Sequence, residues 1–585
     1  MQFLPIGLAV LLATQAPAGG PQAPAASIEG VVVKMTSGEP VPGAKVALAA
    51  QSCATQSPSA PAQCDPKTVI TGTDGKFLLT GMAPGSYRLF ATHAGGYVPA
   101  EYGQRSATGP GIPLEVMNGQ QATGIQLVMA STASISGRIY DRDGEPLGRA
   151  QVQALRSVYR NGHRRMTIVQ SVETNDRGEY RLFWLAPGRY YVSARPDIPA
   201  RPAGLLPAST STSAVRITEP ARFGTFEQAS RPVVVKRTLR TGETVEETHL
   251  AVYYPGVLEA QAASPLTVAA GAAIGGIDIS VGPGIMPAHH IRGTAINGAD
   301  GQPLARATVF AIPRTTQPDL RVPVGQADSN GFFDISGAVP GSYMLLVSNG
   351  RMSGTVPAEV GNNDIQNVAV VAGSGFKLSG RFTIEGHSRS GLDPKITNLR
   401  VGPFTRDIEI LGNAGPSFNP PPAEDGSFTL DGVSAGDFRV TIRGVPQDAY
   451  VKSIRMGNTD VLDGGLHIIG PPDNLLEIVI GANAGTLHGS AMTTRQDPAA
   501  NRAIVLVPDL RLRHQSDLYK SVFTDSSGRF RITGITPGDY KLFAFDEVES
   551  GAWEDPDFLR NYEGQGKSVH VNEGTDEDIP LTVIP

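Results

Sequence analysis

Two short motifs have the residue types and the spacing of hydrolase centres. His570-Val571-Asn572-Glu573 has the His-x-x-Glu spacing of a zinc-ligand pair, but a zinc peptidase also needs a distant third histidine, and none follows this pair. The segment 432–436, Gly-Val-Ser-Ala-Gly, matches a nucleophile elbow, which requires a turn from a strand into a helix. Neither motif has its remaining parts nearby in the sequence. We therefore predict no catalytic residue, no metal ligand and no cofactor.

Two cysteines are the only thiols of the chain. Cys53 and Cys64 lie eleven positions apart in a stretch rich in proline, serine and alanine. Exported proteins form disulfides, and two lone cysteines at this distance favour a disulfide over a metal site or a catalytic pair. We therefore predict a disulfide between Cys53 and Cys64.

Aromatic side chains could give the chain a ligand-binding surface, because flat exposed rings pack on the apolar faces of sugars. Aromatic residues make up only 6% of the chain. Tyr253 and Tyr254 end an inserted stretch, and Trp553 stands in an acidic segment, where we expect it to be exposed. Trp184 takes the place of a glycine in a repeated motif, and we expect it in the core rather than at the start of a binding platform. These four residues are the candidate ligand contacts.

Basic residues cluster between positions 156 and 165. The cluster consists of Arg156, Tyr159, Arg160, His163, Arg164 and Arg165. It could form a cationic patch for an acidic polysaccharide or a lipid head group. The commoner alternative is the solvated tip of a hairpin.

A motif that occurs five times accounts for most of the chain. In each copy an aromatic residue follows one glycine by two positions, precedes another glycine by eight and precedes a second aromatic by ten. The pairs of rings are Phe77 and Tyr87, Tyr180 and Tyr190, Phe333 and Tyr343, Phe428 and Phe438, and Phe530 and Tyr540. Polar and apolar residues alternate around each first ring, which predicts a strand with one buried face. We expect the ten rings to lie inside the domains.

Turn residues surround these strands. The first glycine of each copy follows or lies near Asp, Asn or Ser, which suits a tight turn, and a Pro-Gly pair such as Pro84-Gly85 suits a type II turn. We expect the two aromatic strands of each copy to form a hairpin. An opening strand centred on a glycine comes before them, at Gly30, Gly137, Gly293, Gly380 and Gly489. Roughly seven short strands per unit of about 100 residues are typical of a β-sandwich.

The pattern resembles the carboxypeptidase regulatory-like domain, a transthyretin-like or prealbumin-like sandwich found beside peptidases and, as tandem copies, in bacterial envelope proteins. The resemblance covers nearly the whole chain after residue 26, and the fourth copy is the most degraded. It implies an all-β protein, a tandem array of about five Ig-like or prealbumin-like β-sandwich domains. Such sandwiches are grouped with carbohydrate-binding-like folds, which is an association and assigns no ligand.

The first rings of the five copies lie 103, 153, 95 and 102 residues apart, which sets the expected domain boundaries. Residues 1–18 are predicted to be an export signal. The predicted domains are domain 1 (19–131), domain 2 (132–286), domain 3 (287–374), domain 4 (375–484) and domain 5 (485–585). The long second interval places an insertion at about 195–254. It is either a binding loop on a rigid scaffold or an excursion that covers a sheet edge.

The N-terminus and the composition bear on location and partners. An apolar run from Leu8 to Leu12, followed by Ala16-Pro17-Ala18, is typical of a cleavable export signal. No later stretch has about 18 uninterrupted apolar residues, so we expect no transmembrane segment in the mature chain. The 585 residues carry a net charge of −6, and 18% of them are charged. This composition favours neither disorder nor nucleic-acid binding.

The sequence therefore predicts an exported, non-catalytic scaffold or adhesion-type protein that is periplasmic, on the cell surface or secreted. Its partner is left open, with a polysaccharide or an envelope protein as candidates. The alternative function is polysaccharide binding. An accessory module of a peptidase comes third.

Overall fold

The computed structural model describes residues 26–50, 66–160, 162–196, 232, 234–314, 321–350, 352–387, 395, 399–405, 421–433 and 435–585. Three features predicted from the sequence lie outside these residues. They are the export signal at 1–18, the disulfide between Cys53 and Cys64, and Ser434 of the elbow-like motif.

The described chain is all-β, as predicted, and forms a tandem array of five β-sandwiches. Each sandwich encloses a hydrophobic core of its own between two sheets. Backbone packing divides the chain between Ala130 and Ser131, so that domain 1 is one compact unit and domains 2 to 5 together form another. No helix among the described residues is both long and apolar enough to span a membrane.

Domain 1 contains eight strands. They are β1 (Ala26–Lys34), β2 (Lys45–Ala50), β3 (Lys67–Ile70), β4 (Lys76–Met82), β5 (Gly85–Thr92), β6 (Ala100–Glu101), β7 (Leu114–Val116) and β8 (Gln121–Met129). One sheet has the order β4-β1-β8, and the other has the order β3-β2-β5-β6 with β7 also paired to β5.

The described part of domain 2 contains twelve strands. They are β9 (Ala133–Tyr140), β10 (Ala150–Arg160), β11 (His163–Glu173), β12 (Glu179–Leu185), β13 (Gly188–Pro196), β14 (Val234–Thr238), β15 (Thr244–His249), β16 (Val252–Tyr253), β17 (Leu266–Val268), β18 (Ala273–Ile274), β19 (Ile279–Ser280) and β20 (Ile285–Pro287). The sandwich sheets are β12-β9-β18, with β19 beside β9, and β11-β10-β13-β16, with β17 beside β13. Part of the insertion forms a third sheet, β14-β15-β20, and its end, β16, extends a sandwich sheet.

Domain 3 contains seven strands. They are β21 (His289–Asn297), β22 (Thr308–Pro313), β23 (Val324–Gln326), β24 (Phe332–Ala338), β25 (Gly341–Asn349), β26 (Met352–Val360) and β27 (Ile365–Ala372). Its sheets are β24-β21-β27 and β23-β22-β25-β26.

Among the described residues, domains 4 and 5 each add one short α-helix to the strands. Domain 4 has β28 (Phe376–Glu385), β29 (Arg400–Thr405), β30 (Ser427–Val433), β31 (Gly436–Arg443), β32 (Tyr450–Met456), β33 (Thr459–Asp460), α1 (Val461–Gly464), β34 (Leu466–Ile468) and β35 (Leu476–Gly481). Domain 5 has β36 (Gly485–Met492), β37 (Ala503–Pro508), β38 (Lys520–Phe523), β39 (Arg529–Ile535), β40 (Gly538–Phe545), α2 (Pro556–Leu559), β41 (Lys567–Val571), β42 (Asp576–Asp578) and β43 (Leu581–Thr582). The sheets are β30-β28-β35-β32-β33 and β29-β31-β34 in domain 4, and β39-β36-β42, with β43 beside β36, and β38-β37-β40-β41 in domain 5.

The opening strand is central to one sheet of every domain. It pairs antiparallel with the first aromatic strand and parallel with the closing strand, as β21 does with β24 and β27. Its central glycine lies opposite the first ring in all five copies. A Cβ on Gly293 would lie 2.0 Å from the carbonyl oxygen of Val368 and 2.7 Å from the Phe333 ring. The glycine therefore leaves the space that the ring and the parallel strand occupy.

The prediction that the repeated rings are internal is confirmed. Nine of the ten are buried, and Tyr87 is half-buried against the core of domain 1. Where the second ring is a tyrosine, its hydroxyl donates to the main-chain carbonyl four residues earlier. These bonds run from Tyr87 to Ala83 (2.9 Å), Tyr190 to Ala186 (2.7 Å), Tyr343 to Val339 (2.9 Å) and Tyr540 to Thr536 (2.7 Å). Each bond ties the turn to the strand that follows it, as a tyrosine corner does.

The prediction of a hairpin between the two aromatic strands is wrong. In domain 1, β4 belongs to the sheet around β1, whereas β5 pairs with β2 in the opposite sheet. The Pro-Gly turn therefore carries the chain across the sandwich. A proline with fixed φ followed by glycine suits a sharp turn whether or not the flanking strands pair. Because the strands cross, the two rings of each copy enter the core from opposite sheets.

Candidate functional site

Trp553 is buried, so its expected exposure is wrong. Its side chain is 5% exposed and packs with Val505, Phe543, Phe545 and Leu559 in a second core of domain 5. The segment around α2 covers the outer face of the sheet that contains β37 and β40. The continuous apolar run 503–507 is the sequence signal for this arrangement, because a strand buried on both faces does not alternate.

The two tyrosines at the end of the insertion are not available as an exposed platform. Tyr253 is 1% exposed and packs with Leu155 and Tyr191, and burial raises the pKa of its hydroxyl to about 12. Tyr254 is half-buried against the core of domain 2. Both side chains therefore hold the end of the insertion to the sandwich.

Trp184 is exposed, which contradicts its expected place in the core. Its side chain is 69% exposed, and that of Phe183 is 42% exposed. The two rings stand 5.4 Å apart, centroid to centroid, at an interplanar angle of 77°. Phe183 was not singled out from the sequence, although the other copies carry a small polar residue there, namely Thr80, Ser336, Asp431 and Thr533. Of the four candidate ligand contacts, Trp184 alone presents most of its ring to solvent.

The residues of the zinc-like motif bind different partners. His570 Nδ1 lies 2.7 Å from Asp539 Oδ1, and this hydrogen bond raises the pKa of the imidazole. Glu573 accepts a hydrogen bond from the hydroxyl of Tyr450 (2.6 Å) and one from Lys452 Nζ (3.1 Å). Among the described residues there is no group of three or more His, Cys, Asp or Glu side chains that could hold a metal ion. The structure thus gives Glu573 a role at the junction of domains 4 and 5.

A lysine joins carboxylates of domains 4 and 5. Lys452 Nζ lies 2.9 Å from Glu385 Oε2 and 3.1 Å from Glu573 Oε1. Hydrogen bonds to the two carboxylates raise the pKa of Lys452, and the hydrogen bonds from Tyr450 and Lys452 hold the pKa of Glu573 below its usual range. The main-chain N–H of Gly574 also donates to the carbonyl of Asn483 at 2.9 Å. Side chains and backbone therefore both hold this junction.

The insertion of domain 2 contacts domain 3. Glu246 in β15 pairs with His290 Nε2 at 3.1 Å, and its main-chain carbonyl accepts from the N–H of Ala288 at 2.8 Å. Arg292 bridges Asp334 (2.9 Å) and Asp364 (2.8 Å) beside it. Burial raises the pKa of Asp334, but the hydrogen bonds from His290 and Arg292 outweigh burial, and the net shift is downward.

The basic cluster of domain 2 contacts the acidic segment of domain 5. Strands β10 and β11 form the expected hairpin, with Arg160 opposite His163. Near its tip, Arg164 Nη2 lies 3.8 Å from Glu549 Oε2, and a Cβ on Gly162 would lie 2.6 Å from the carbonyl oxygen of Glu554. Burial raises the pKa of the Glu554 side chain. The tip is thus a contact between domains that lie far apart in sequence.

Domain 5 also has an open groove with a volume of about 830 Å³. Its charged lining residues include Arg513, Lys541, Glu563, Asp539 and His570. Glu563 pairs with both Arg513 and Lys541, and Asp539 pairs with His570. Each of these five side chains therefore has a partner of opposite charge within the groove.

Comparison with known proteins finds one similarity at the level of sequence, in the first domain. The family model of the carboxypeptidase regulatory-like domain matches residues 27–125. No curated protein matches the chain.

Three solved structures show the level of structural similarity. The TIE protein of Bacillus anthracis is 10% identical, with 97% of this chain and 75% of that chain covered and a TM-score of 0.14. A streptococcal ancillary pilin is 11% identical, with 59% and 98% covered and a TM-score of 0.20. BcpA, the major pilin subunit of Bacillus cereus, is 10% identical, with 60% and 99% covered and a TM-score of 0.13. TM-scores this low assign no function. The family match stands independently of them, and residues 27–125 are similar to the carboxypeptidase regulatory-like domain, the family that the repeated motif predicts.

Proposed function

We propose that the protein is an exported, non-catalytic scaffold of five domains, with the boundaries 19–131, 132–286, 287–374, 375–484 and 485–585, in which domains 2 to 5 are held at fixed spacing. The observation that carries the proposal is the junction of domains 4 and 5. There Glu573 binds Tyr450 and Lys452, and Lys452 also binds Glu385. Independently moving domains on a flexible linker do not need such a set of bonds, whereas a spacer of fixed geometry does.

Two further contacts support the same proposal. Glu246 links the insertion of domain 2 to His290 of domain 3, and Arg164 of domain 2 lies near Glu549 of domain 5. Carboxylates that could act as acids, bases or metal ligands are thus engaged in contacts between domains. This use of charged side chains favours a mechanical role over catalysis.

The proposed location follows from the N-terminal segment and the family. The apolar run before Ala16-Pro17-Ala18 fits a cleavable signal, and tandem domains of this type occur in bacterial envelope proteins. Mass spectrometry of the protein from its native cells should find an N-terminus just after Ala18. Recovery of intact Met1 in the cytoplasmic fraction would contradict export.

Distance measurements between spin labels test whether the spacing is fixed. Ile469 in domain 4 and Leu510 in domain 5 are 82% and 72% exposed, so Ile469→Cys and Leu510→Cys can carry the labels. The full chain is used with Cys53→Ser and Cys64→Ser, which leaves the two introduced thiols as the reactive ones. Pulsed electron paramagnetic resonance should give one narrow distribution of the distance between the two labels.

A matched pair of variants identifies the cause of a narrow distribution. Glu573→Ala removes the acceptor of the Tyr450 and Lys452 bonds and should broaden the distribution. Glu577→Ala removes an exposed carboxylate of β42 nearby and should leave it narrow. A broad distribution in the parent chain would contradict the scaffold of fixed spacing.

A second function, polysaccharide binding, is favoured by one specific observation. The Phe183–Trp184 pair presents two aromatic rings to solvent on domain 2. Such rings can bind sugars without any catalytic group nearby, so this function is compatible with a scaffold.

A further inference from the structure

The Phe183–Trp184 pair occupies a bulge that recurs in all five domains. The register between the first aromatic strand and the opening strand shifts at this point, in domain 2 between Leu182 and Leu185. The residues equivalent to Trp184 are Gly81, Gly337, Gly432 and Gly534, all with φ between 68° and 87°. A bulge with one residue at positive φ is normally built with glycine, as in these four copies.

Trp184 adopts the same left-handed conformation, with φ of 54°. This conformation is unfavourable for a residue with a bulky side chain. Burial of the ring does not compensate, because 69% of the side chain stays exposed. A strained residue that buries so little of its ring points to a role outside folding.

Two of the four counterparts of Trp184 differ from it in their surroundings as well as in residue type, whereas a Cβ on Gly81 would meet only the end of the Lys67 side chain, at 3.3 Å. A Cβ on Gly337 would lie 2.8 Å from Pro232, and one on Gly534 would lie 2.7 Å from the carbonyl oxygen of Gln447. Neither position has room for a side chain. In domain 2 the same point of the bulge directs an indole outward.

The backbone beneath the pair is fixed by a neighbouring strand. The N–H of Phe183 donates to the side-chain oxygen of Gln170 in β11 at 3.0 Å. The edge-to-face contact of the two rings, with centroids 5.4 Å apart, limits their relative orientation. The indole face is therefore presented by a supported element, which lowers the entropy lost when a ligand binds.

We propose that Trp184 is a platform on which a sugar ring of a polysaccharide stacks, with Phe183 as its second apolar contact. The exposed parts of the two rings amount to about 250 Å². A stable protein interface buries roughly 800 Å² on each partner, so the pair is too small to hold a folded protein by itself. One or two pyranose rings match its size and offer the apolar C–H faces that stack on indole. This inference rests on the second proposed function, polysaccharide binding, and is independent of the scaffold function, which the spin-label distances test separately.

Tryptophan fluorescence reports on this site with little interference. The chain has two tryptophans, and Trp553 is buried in domain 5. The mature full chain is titrated, up to millimolar concentrations, with hexasaccharides of glucose, xylose, mannose and N-acetylglucosamine and with polygalacturonate. At least one of these probes should shift or quench the emission.

Two variants test whether Trp184 and Phe183 form the binding site. Each introduces the residue type that other domains have at the same position, and calorimetric titration with the probe that binds measures the affinity. Trp184→Gly should weaken association at least ten-fold, and Phe183→Thr should weaken it by a smaller factor. Trp184→Gly should also melt at the same or a higher temperature than the parent, because glycine relieves the strain at positive φ. Phe332→Ala, which removes a 46% exposed ring of domain 3, should bind like the parent.

The proposal is overturned if the parent binds none of the probes, or if Trp184→Gly binds as tightly as the parent. It is also overturned if Phe332→Ala loses as much affinity as Trp184→Gly. A Trp184→Gly chain that melts well below the parent would show that the indole stabilises the fold, which contradicts the outward role.

Discussion

Replacing one of two adjacent phenylalanines in domain 3 should show how much each repeated ring contributes to stability. Phe333 is fully buried and faces Gly293 across the sheet, whereas Phe332 is 46% exposed on the other face of the same strand. Phe333→Ala and Phe332→Ala therefore make the same chemical change one residue apart. Only the first removes a ring from the core.

The expected size of the effect follows from burial. Truncating a fully buried phenylalanine to alanine costs about 3–5 kcal/mol, out of the roughly 5–15 kcal/mol that stabilise a domain. For a domain of this size, each kcal/mol of unfolding free energy corresponds to about 4–8 °C in melting temperature. Phe333→Ala should therefore lower the melting temperature of domain 3 by at least about 12 °C. Phe332→Ala should cost about 1 kcal/mol or less.

Scanning calorimetry of the full chain measures the difference between the two variants. The unfolding transition of domain 3 should move to lower temperature, while the transitions of the other domains stay in place. The reasoning would be refuted if the two variants shifted the same transition equally, or if Phe333→Ala shifted none by more than about 3 °C. Either result would mean that the repeated ring is not a core residue of a separately folding domain.

Three further predictions concern the turn, the opening glycine and the junction of domains 4 and 5. Tyr540→Phe removes the hydroxyl that donates to the Thr536 carbonyl, and it should lower the free energy of unfolding in urea by about 1 kcal/mol. An unchanged urea midpoint would contradict the role of this bond. Gly489→Ala places a Cβ 2.0 Å from the Ile579 carbonyl oxygen and should destabilise domain 5 by about 3 kcal/mol, whereas Gly564→Ala, with open space around it, should change thermal melting little. Glu573 has a lowered pKa in the folded chain, so its contribution to the junction is fully present above the ordinary glutamate pKa of about 4.3 and is lost as the pH falls through the lowered value. The spin-label distance distribution across the junction should therefore broaden only below the ordinary glutamate pKa, and equal broadening in Glu573→Gln, which cannot titrate, would assign the effect to another group.

The repeated motif predicted the sandwiches well because each of its residue types is required by atoms close to it. Gly293 must be glycine where Phe333 crosses it, and Gly331 must adopt a positive φ of 74° at the turn before the strand. Requirements of this kind are set by a few neighbouring atoms, so they survive in the sequence as fixed spacings.

Strand pairing and burial on the outer faces were predicted less well. A Pro-Gly turn fixes the direction of the backbone but not the partner of the strand that follows, and so the expected hairpin is a crossing between sheets. Trp553 was expected in solvent because its neighbours in sequence are acidic, yet its burial is decided by β37 and β40, which present apolar faces on both sides. Contacts between domains are equally hard to predict, because nothing in the sequence around Glu573 or Tyr450 indicates that these two side chains meet.

Pulling single molecules of the full chain from end to end tests the central claim most directly, namely that the five copies are separate sandwiches joined in series. At about 3.3–3.6 Å per residue, the unfolding of a domain of about 100 residues should release roughly 300–350 Å of chain. We predict five events, one for each domain, and the event of domain 2, which spans residues 132–286, should release roughly 500–550 Å at the same length per residue. A single cooperative release of the whole chain, or a smooth extension without steps, would contradict the tandem array and the scaffold function built on it.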